Sequence, residues 1–187
     1  VRIDGDSNIV TANGDIDGFD GDGVLIVGDD NTVSGEEITS ANGDGVDIEG
    51  DGNNVDADSV TGGDSGVVID GYNNSVDVDG MITGNGDEGV DIDGNSNTVT
   101  ASGVQGNWDG VDINGNNNVV TSADTISGGD HGVTIGGSNN SVNADGDILS
   151  DQDGFGYGSG VDIDGNSNSV SGDNIGNATS GEDGVRI

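Results

Sequence analysis

The sequence contains no cysteine, no proline and no lysine, and its only basic side chains besides His131 are Arg2 and Arg186. Without cysteine, neither a disulfide framework nor a thiolate metal site can form. The 37 acidic residues give a formal net charge of −35, which excludes a basic groove for nucleic-acid phosphates and disfavours docking on anionic membranes. No apolar run approaches the ~20 residues that a membrane-spanning helix needs.

Glycine is abundant, at 39 of 187 residues, whereas hydrophobic residues make up only 29% and aromatic residues 3%. This composition alone is typical of a disordered chain, but the order of the residues is regular. The motif Val-x-Ile-x-Gly-x-x-Asn-x-Val returns eight times at spacings of 21 to 28 residues, each time followed by a further apolar residue. The leading valines are Val1, Val24, Val46, Val67, Val90, Val111, Val133 and Val161, and a ninth repeat begins at Val185.

Alternation of β-branched residues with a period of two predicts strands of three to five residues, with Gly, Asn and Asp at the sharp corners between them. A repeat of about 22 residues is too small to bury its own apolar face but can bury it against its neighbours. We therefore predict an all-β fold, a parallel β-solenoid of about eight coils, mostly of 21–24 residues, with three short strands per coil. The single β-solenoid domain is expected to span residues 1–187.

One asparagine occupies the same position in all eight complete repeats. A simple turn would also accept Asp or Gly there, so the strict recurrence in such an acidic chain favours a structural role. Stacked at a corner, the amide side chains can hydrogen-bond to the backbone and to one another as a ladder. The predicted ladder consists of Asn8, Asn31, Asn53, Asn74, Asn97, Asn118, Asn140 and Asn168.

Segments 89–99 and 160–170 carry the motif Gly-Val-x-Ile-x-Gly-x-x-Asn-x-Val in full. This pattern resembles the parallel β-helix repeats of the pectate-lyase-like superfamily, and the resemblance covers essentially the whole chain. It implies a right-handed parallel β-helix with three sheets. It does not fix the function, because that superfamily includes polysaccharide lyases, hydrolases and epimerases, phage tailspikes and non-catalytic surface proteins.

The outward positions of the first strand are acidic in nine of sixteen cases. Like charges stacked ~5 Å apart repel each other by roughly 1 kcal/mol in water. Two interpretations remain open. Either Ca²⁺ bridges carboxylates of adjacent coils, since it prefers oxygen ligands, or high external salt screens the repulsion. The candidate metal ligands are Asp47, Asp91, Asp93, Asp112, Asp162 and Asp164.

The outward positions of the second strand instead carry many hydroxyl side chains, such as Thr98 and Thr100, with only Asp56 and Asp77 acidic. A Thr-x-Thr array on a flat solenoid face resembles ice-binding solenoids, although β-branched hydroxyl residues also simply favour strands. Ice binding and calcium-dependent carbohydrate binding therefore stand as alternative functions.

One spacing, of 28 residues, indicates an insertion near residues 150–159. Loops that leave a solenoid at a corner often carry binding sites. Phe155 and Tyr157 therefore form a candidate contact loop, with a bulge of no function as the alternative. No motif in the sequence supplies a partner for His131, and we expect it to be a solvated side chain.

We expect no catalytic residues. The lyases of the superfamily that the chain resembles use a basic residue to remove a proton, and this chain has no lysine and arginines only near its two ends. Paired carboxylates for hydrolysis are plentiful, but coils of 21–24 residues leave little loop length for a walled cleft. A polysaccharide hydrolase or lyase is therefore only the third candidate function.

Both ends of the sequence carry the same half-strand, Val-Arg-Ile, with no polar cap. Such ends suit either a segment of a longer repeat protein or a filament subunit that stacks end to end on other copies. We therefore expect a non-catalytic structural rod, filament or adhesin segment that is secreted and exposed at the cell surface. Its expected partners are flanking repeats or further copies, without nucleic acid or membrane insertion, and Ca²⁺ is the one cofactor considered.

Overall fold

Parallel strands stack along one axis in a computed structural model of the chain, which describes residues 1–150, 158–177 and 183–187. One strand begins at or beside the leading valine of each repeat, and these strands form a nine-stranded sheet, here called the first sheet. Its strands are β1 (Arg2–Asp4), β4 (Val24–Val27), β6 (Val46–Glu49), β8 (Val67–Asp70), β11 (Val90–Ile92), β14 (Val111–Ile113), β17 (Val133–Ile135), β20 (Val161–Ile163) and β23 (Val185–Arg186).

The remaining strands form two further stacks that are joined into one sheet of 14 strands. The second stack contains β2 (Ile9–Thr11), β9 (Ser75–Val78), β12 (Thr98–Ala101), β15 (Val119–Ser122), β18 (Ser141–Ala144) and β21 (Ser169–Ser171). The third stack contains β3 (Ile16–Gly18), β10 (Met81–Gly84), β13 (Gly103–Gln105), β16 (Ile126–Gly128), β19 (Ile148–Ser150) and β22 (Ile175–Asn177). The longer strands β5 (Thr32–Ser40) and β7 (Asn54–Gly62) belong to both stacks.

The two long strands differ from the predicted length of three to five residues. In the second and third coils the chain stays extended between the second and third stacks, and this connection itself pairs, Gly35 with Ala57 and Glu37 with Ser59. The bend there is therefore shallow enough to keep the backbone ladder intact. Among the described residues every element is a strand, and none forms a helix that could cross a membrane.

Identical positions of the repeat lie directly above one another, as the register of the first sheet shows. Val90 pairs with Val111 and Ile92 pairs with Ile113. The apolar columns of the repeat point inward, so that interior residues such as Ile48 and Ile92 are fully buried. Each such side chain contributes roughly 1.5–3 kcal/mol relative to an exposed one. The predicted β-solenoid of about eight coils is therefore confirmed, and the core is a continuous stack of Val and Ile along its axis.

The recurring asparagines form a hydrogen-bonded column at the corner between the first and second stacks. From Asn31 to Asn168, each amide oxygen accepts the backbone N–H of the asparagine one coil earlier, at 2.8–2.9 Å. From Asn53 onward, each Nδ2 also donates to a glycine carbonyl of the preceding coil, at 2.7–2.9 Å. An aspartate could accept but not donate, and a glycine could do neither, which explains why only Asn recurs.

A second column at the same corner runs in the opposite direction, and the sequence analysis missed it. Here the side chain of the earlier coil accepts a backbone N–H from the later one: Asp29 N–H donates to Asp6 Oδ1 at 2.9 Å, and Asp51 N–H to Asp29 Oδ1 at 2.9 Å. Further along the axis Asn116 N–H donates to Asn95 Oδ1 at 2.9 Å. Each corner is thus tied to both neighbouring coils.

The corner also explains the strict glycine and the polar residues of the motif. The residue before each ladder asparagine has a positive φ of 57–68° in all eight coils, a conformation that Gly, Asn, Asp and Ser tolerate better than β-branched residues. At the strict glycine the backbone of the neighbouring coil comes very close: a Cβ at Gly115 would overlap the carbonyl oxygen of Gly94. A side chain at this position would force the coils apart.

Candidate functional site

The outward side of the first sheet, together with the corner that precedes each of its strands, carries the densest group of carboxylates that share an environment. We call this surface the carboxylate face, and it comprises Asp44, Asp47, Glu88, Asp91, Asp109 and Asp112. Strands β6, β11 and β14 position Asp47, Asp91 and Asp112. Because the inward residues on either side of each are apolar, the alternation of the strand turns these carboxylates outward.

The six candidate metal ligands do not lie together. Asp47, Asp91, Asp112 and Asp162 belong to one outward column, but Val68 and Thr134 interrupt it, so that only Asp91 and Asp112 are direct neighbours. Asp93 and Asp164 each follow the inward isoleucine of their strand and belong to a neighbouring column. In the part of the chain that the structure describes, no three carboxylate or imidazole side chains are placed to hold a metal ion.

Burial and crowding raise the pKa of the carboxyls on this face. Burial, and then the nearby charges of residues such as Asp22 and Asp44, raise the pKa of Asp47 to about 7. Burial and the charge of Asp112 raise the pKa of Asp91 to about 7, and Asp112 itself has a pKa of about 6 for the same kind of reason. Asp47 and Asp91 are therefore partly protonated near neutral pH, and Asp112 in mildly acidic solution, which reduces the repulsion on the face.

Asp112 also has an orphaned oxygen. Its Oδ1 is buried and makes no hydrogen bond with the described residues. A carboxylate oxygen in such a position is costly to ionise, because neither water nor a donor compensates its charge. Asp91 and Asp112 are neighbours in register, and such a pair can share a proton or attract a cation from solution. Proton sharing and the attraction of a cation are therefore the chemical properties of the carboxylate face.

The corner carboxylates have a structural role that the sequence analysis did not identify. Two residues before a leading valine, Asp22, Asp44 and Asp109 each accept a backbone N–H from the next coil through Oδ1, at 2.9–3.0 Å. The signal was present in the sequence, since an acidic residue stands two residues before five of the nine leading valines. It was hidden by the general excess of Asp.

His131 is not a solvated side chain, and that expectation was wrong. Its Nδ1 lies 3.1 Å from Asp109 Oδ1, and the side chains of His131 and Asp109 are only 23% and 13% exposed. Thr134 Oγ1 donates to Asp109 Oδ2 at 2.6 Å. The partners come from successive coils, so their sequence separation of 22 residues concealed the pairing. The register of the coils, rather than any local motif, brings them together.

The second stack places its hydroxyl side chains in two outward columns, but neither is pure. Thr98 pairs with Val119 and Thr100 with Thr121, whereas Asp56 pairs with Asp77 in the third and fourth coils. A purer column lies on the third stack and was not predicted. There the outward positions are, in register, Asp17, Thr39, Thr61, Thr83, Gln105, Ser127 and Leu149, so that three threonines follow one another.

In the part of the chain that the structure describes, the exposed aromatic side chains do not form a binding platform. Phe19, Tyr72 and Trp108 are 76%, 52% and 57% exposed, and they lie in different coils. Tyr72 lies at the corner after the first strand, whereas Phe19 and Trp108 lie at the corner before it. The predicted contact loop with Phe155 and Tyr157 lies outside the described residues.

Comparison with known proteins gives one positive finding. Residues 1–149 match the family described as a right-handed beta helix region. No curated protein and no solved structure matches the chain significantly. The match covers most of the coils described above and agrees with their parallel stacking.

Proposed function

Because the chain belongs to the right-handed β-helix family, we propose that it is a non-catalytic structural rod, a segment of an extracellular filament or adhesin. In this proposal the repeated coils provide length and stiffness, and the acidic surface keeps neighbouring rods apart. Further coils, supplied by the same polypeptide or by other copies, stack on the edges. The single observation that carries the proposal is the unbroken column of ladder asparagines, which ties eight successive coils together.

The short corners support a rod over an enzyme. In the fourth coil, residues 71–74 join β8 to β9, residues 79–80 join β9 to β10, and residues 85–89 lead to β11. Connections of two to five residues cannot rise above the sheets to form the walls of a substrate cleft. Polysaccharide hydrolysis or elimination would need such walls to hold a sugar chain in place.

The edge of the first coil supports stacking. Among the described residues, strands β1, β2 and β3 pair along one edge, with β4 and β5 of the second coil. The backbone groups of their other edge can pair with a further coil. Ala12 N–H donates to Ser34 O in the second coil, so the N–H of the preceding Thr11 points toward the free edge, because N–H directions alternate along a strand.

Electron microscopy and sedimentation of the purified protein over a range of concentrations test the stacking. We expect rods that lengthen with concentration in steps of about 38 Å, which is eight coils at ~4.8 Å each. The variant Thr11→Pro removes an N–H from the free edge without touching a bond to the second coil, so it should keep its β-type circular dichroism but form shorter rods. Thr11→Ala is the matched control and should assemble as the wild type does. Short particles of one size at every concentration would contradict assembly from separate copies.

Activity assays test the non-catalytic part of the proposal separately. We expect no turnover on a panel of neutral and acidic polysaccharides, with or without Ca²⁺. Turnover that is lost in the double variant Asp91→Asn/Asp112→Asn would refute the proposal, because it would assign a reaction to the carboxylate face.

Ligand binding by the solenoid is the second candidate function, and the column of Thr39, Thr61 and Thr83 is the observation that favours it. A regularly spaced array of threonine side chains is suited to an ordered surface such as ice, and the charge of Asp17, next to Thr39 in the same column, marks one end of this array. Thermal hysteresis that is lost in Thr61→Glu but retained in Thr121→Glu on the second stack would establish this function and locate it. For calcium, a rise in melting temperature on adding Ca²⁺ that a chelator reverses, and that Mg²⁺ does not reproduce, would establish specific binding.

A further inference from the structure

His131 is the one histidine of the chain, and it lies among acidic groups. Asp130 precedes it in its own corner, Asp109 faces it from the corner before β14, Asp112 lies on β14 and Asp162 on β20. Asp162 is already paired with Arg186 at 3.5 Å. Among the described residues the two arginines pair with Asp4 and Asp162, so the imidazole is the cation that can balance the charge of Asp109.

Asp109 joins three groups of the following corner and strand. Its Oδ1 accepts the backbone N–H of His131 at 2.9 Å and faces His131 Nδ1 at 3.1 Å, and its Oδ2 accepts the hydroxyl of Thr134 at 2.6 Å. The residue is only 9% exposed, and among the described residues it is the one acidic residue that is buried. Salt screens the attraction between opposite charges only weakly at a buried position such as this one.

We propose that the pair of His131 and Asp109 is a pH-sensitive staple between two corners of the carboxylate face. With the imidazole protonated, the staple holds the corner before β17 on the corner before β14. When the proton is lost, one unit of positive charge disappears while the surrounding carboxylates stay. The corner then opens more often, and it does so without unfolding of the inner Val and Ile columns.

The direction of the effect follows from the hydrogen bond. The bond to Asp109 raises the pKa of His131 above its ordinary value, against the opposing effect of burial. A group whose pKa is raised in the folded state stabilises that state below its ordinary pKa, and the stabilisation is lost as pH rises through the folded value. The staple is therefore closed in mildly acidic solution and weakened in alkaline solution.

Titration of the imidazole by nuclear magnetic resonance tests the pairing directly, because a single histidine gives a single imidazole signal. We expect a midpoint above the ordinary 6.5 in the wild type and a lower midpoint in Asp109→Asn, because the negative charge of Asp109 is lost. Asp44→Asn is the matched control, since Asp44 caps the backbone at the same position three coils from Asp109, and it should leave the midpoint unchanged. A midpoint at or below 6.5 in the wild type, or one unmoved by Asp109→Asn, would overturn the proposal.

Amide hydrogen exchange tests the opening of the corner. The amide of His131 is capped by Asp109, and the amide of Ser65 is capped by Asp44 with no imidazole nearby. Between pH 6 and pH 8 the ionisation of Asp47, Asp91 and Asp112 lowers the stability of the whole chain, so both amides lose some protection. Loss of the imidazole proton should make the fall at the His131 amide larger than the fall at the Ser65 amide, by up to about tenfold. In His131→Gln this difference between the two amides should disappear. An equal fall at both amides in the wild type, or a difference that persists in His131→Gln, would contradict a staple made by the imidazole.

Discussion

Asp44 and Asp109 occupy the same position of the repeat and make the same backbone contact, yet they differ in how they carry charge. Each accepts an N–H of the next coil at 2.9 Å. Burial raises the pKa of Asp44, and neighbouring carboxylates add to the effect. Burial also acts to raise the pKa of Asp109, but the hydrogen bonds from His131 and Thr134 outweigh it and lower the pKa.

The comparison shows how one side chain changes a site in a chain with almost no cations. The backbone geometry of the two corners is the same, so the difference arises from what stands one coil above. There the first corner has Ser65 and the second has His131. The imidazole of His131 and the hydroxyl of Thr134, one coil above, favour the anionic form of Asp109, whereas Asp44 has Ser65 and Val68 at these positions and resists ionisation.

The largest expected effect tests whether the coils that carry Asp44 and Asp109 share one hydrophobic interior. Ile48 lies beside Asp47, and Ile113 beside Asp112, and both are fully buried. Ile48→Ala and Ile113→Ala should each lower the free energy of unfolding by about 2–5 kcal/mol, since each leaves a cavity in the same column. Chemical denaturation of both variants measures this. Costs that differ by more than about 1 kcal/mol would place the difference between the regions inside the solenoid rather than on its face.

The next effect concerns the asparagine ladder. Asn53→Ala and Asn118→Ala each leave the backbone N–H of the previous ladder residue and one glycine carbonyl without a partner. Each unsatisfied buried group costs about 1–3 kcal/mol, so both variants should melt at clearly lower temperatures, and by similar amounts. Thr100→Ala, on the outward side of the second stack, is the control and should change little. A ladder variant as stable as this control would mean that the hydrogen bonds of the ladder do not contribute to stability.

A smaller effect is the pH dependence of the whole chain. Asp47, Asp91 and Asp112 have pKa values raised to about 7, 7 and 6 in the folded state, so between about pH 4 and pH 7 the folded chain binds more protons than the unfolded chain. The free energy of unfolding therefore falls as pH rises through this range. The melting temperature should be several degrees lower at pH 8 than at pH 5.

The variant Asp91→Asn should flatten this pH profile, because it removes one group that retains its proton on folding. Asp77→Asn removes an equal charge from an exposed position on the second stack and should leave the slope nearly unchanged. Stability that rises steadily from pH 5 to pH 8 in the wild type would show that the carboxylate face ionises more easily than its burial implies.

The smallest expected effect returns to the two corner carboxylates themselves. At pH 7, Asp109→Asn should lower the free energy of unfolding by about 1 kcal/mol, because it breaks a half-buried ion pair, whereas Asp44→Asn should be neutral or stabilising. Asparagine keeps an oxygen that can accept the backbone N–H in both places. Effects of the same sign in the two variants would indicate that these residues contribute to the free energy of unfolding through the backbone hydrogen bond alone, and not through their charge.

The sequence predicts the fold well, because the features that define it repeat. Eight copies of one pattern average out local ambiguity, so Val90 and Ile92 could be assigned to an inward face without any structure. The ladder followed from Asn97 and its counterparts, since an amide both donates and accepts, which neither Asp nor Gly does with its side chain. The continuous strand β5 was missed because residues 35–37, which join its two halves, show no alternation of apolar residues.

The site was harder to predict, because its interactions do not repeat. The pairing of His131 with Asp109 occurs once and joins residues 22 apart. In so acidic a chain, Asp109 looks the same as any other Asp until the register of the coils is known. The six candidate metal ligands were chosen for the same property, outward charge, and the interruptions by Val68 and Thr134 became meaningful only when the columns were aligned.

Each coil bonds chiefly to the one before it and the one after it, and this has a consequence for inheritance. Duplication or loss of one repeat unit in the gene would leave every remaining residue facing the same neighbours as before. Variation in repeat number is therefore an inexpensive way for such a lineage to change reach, whereas inserting or deleting a single residue within a strand would put every later side chain of that strand on the wrong side.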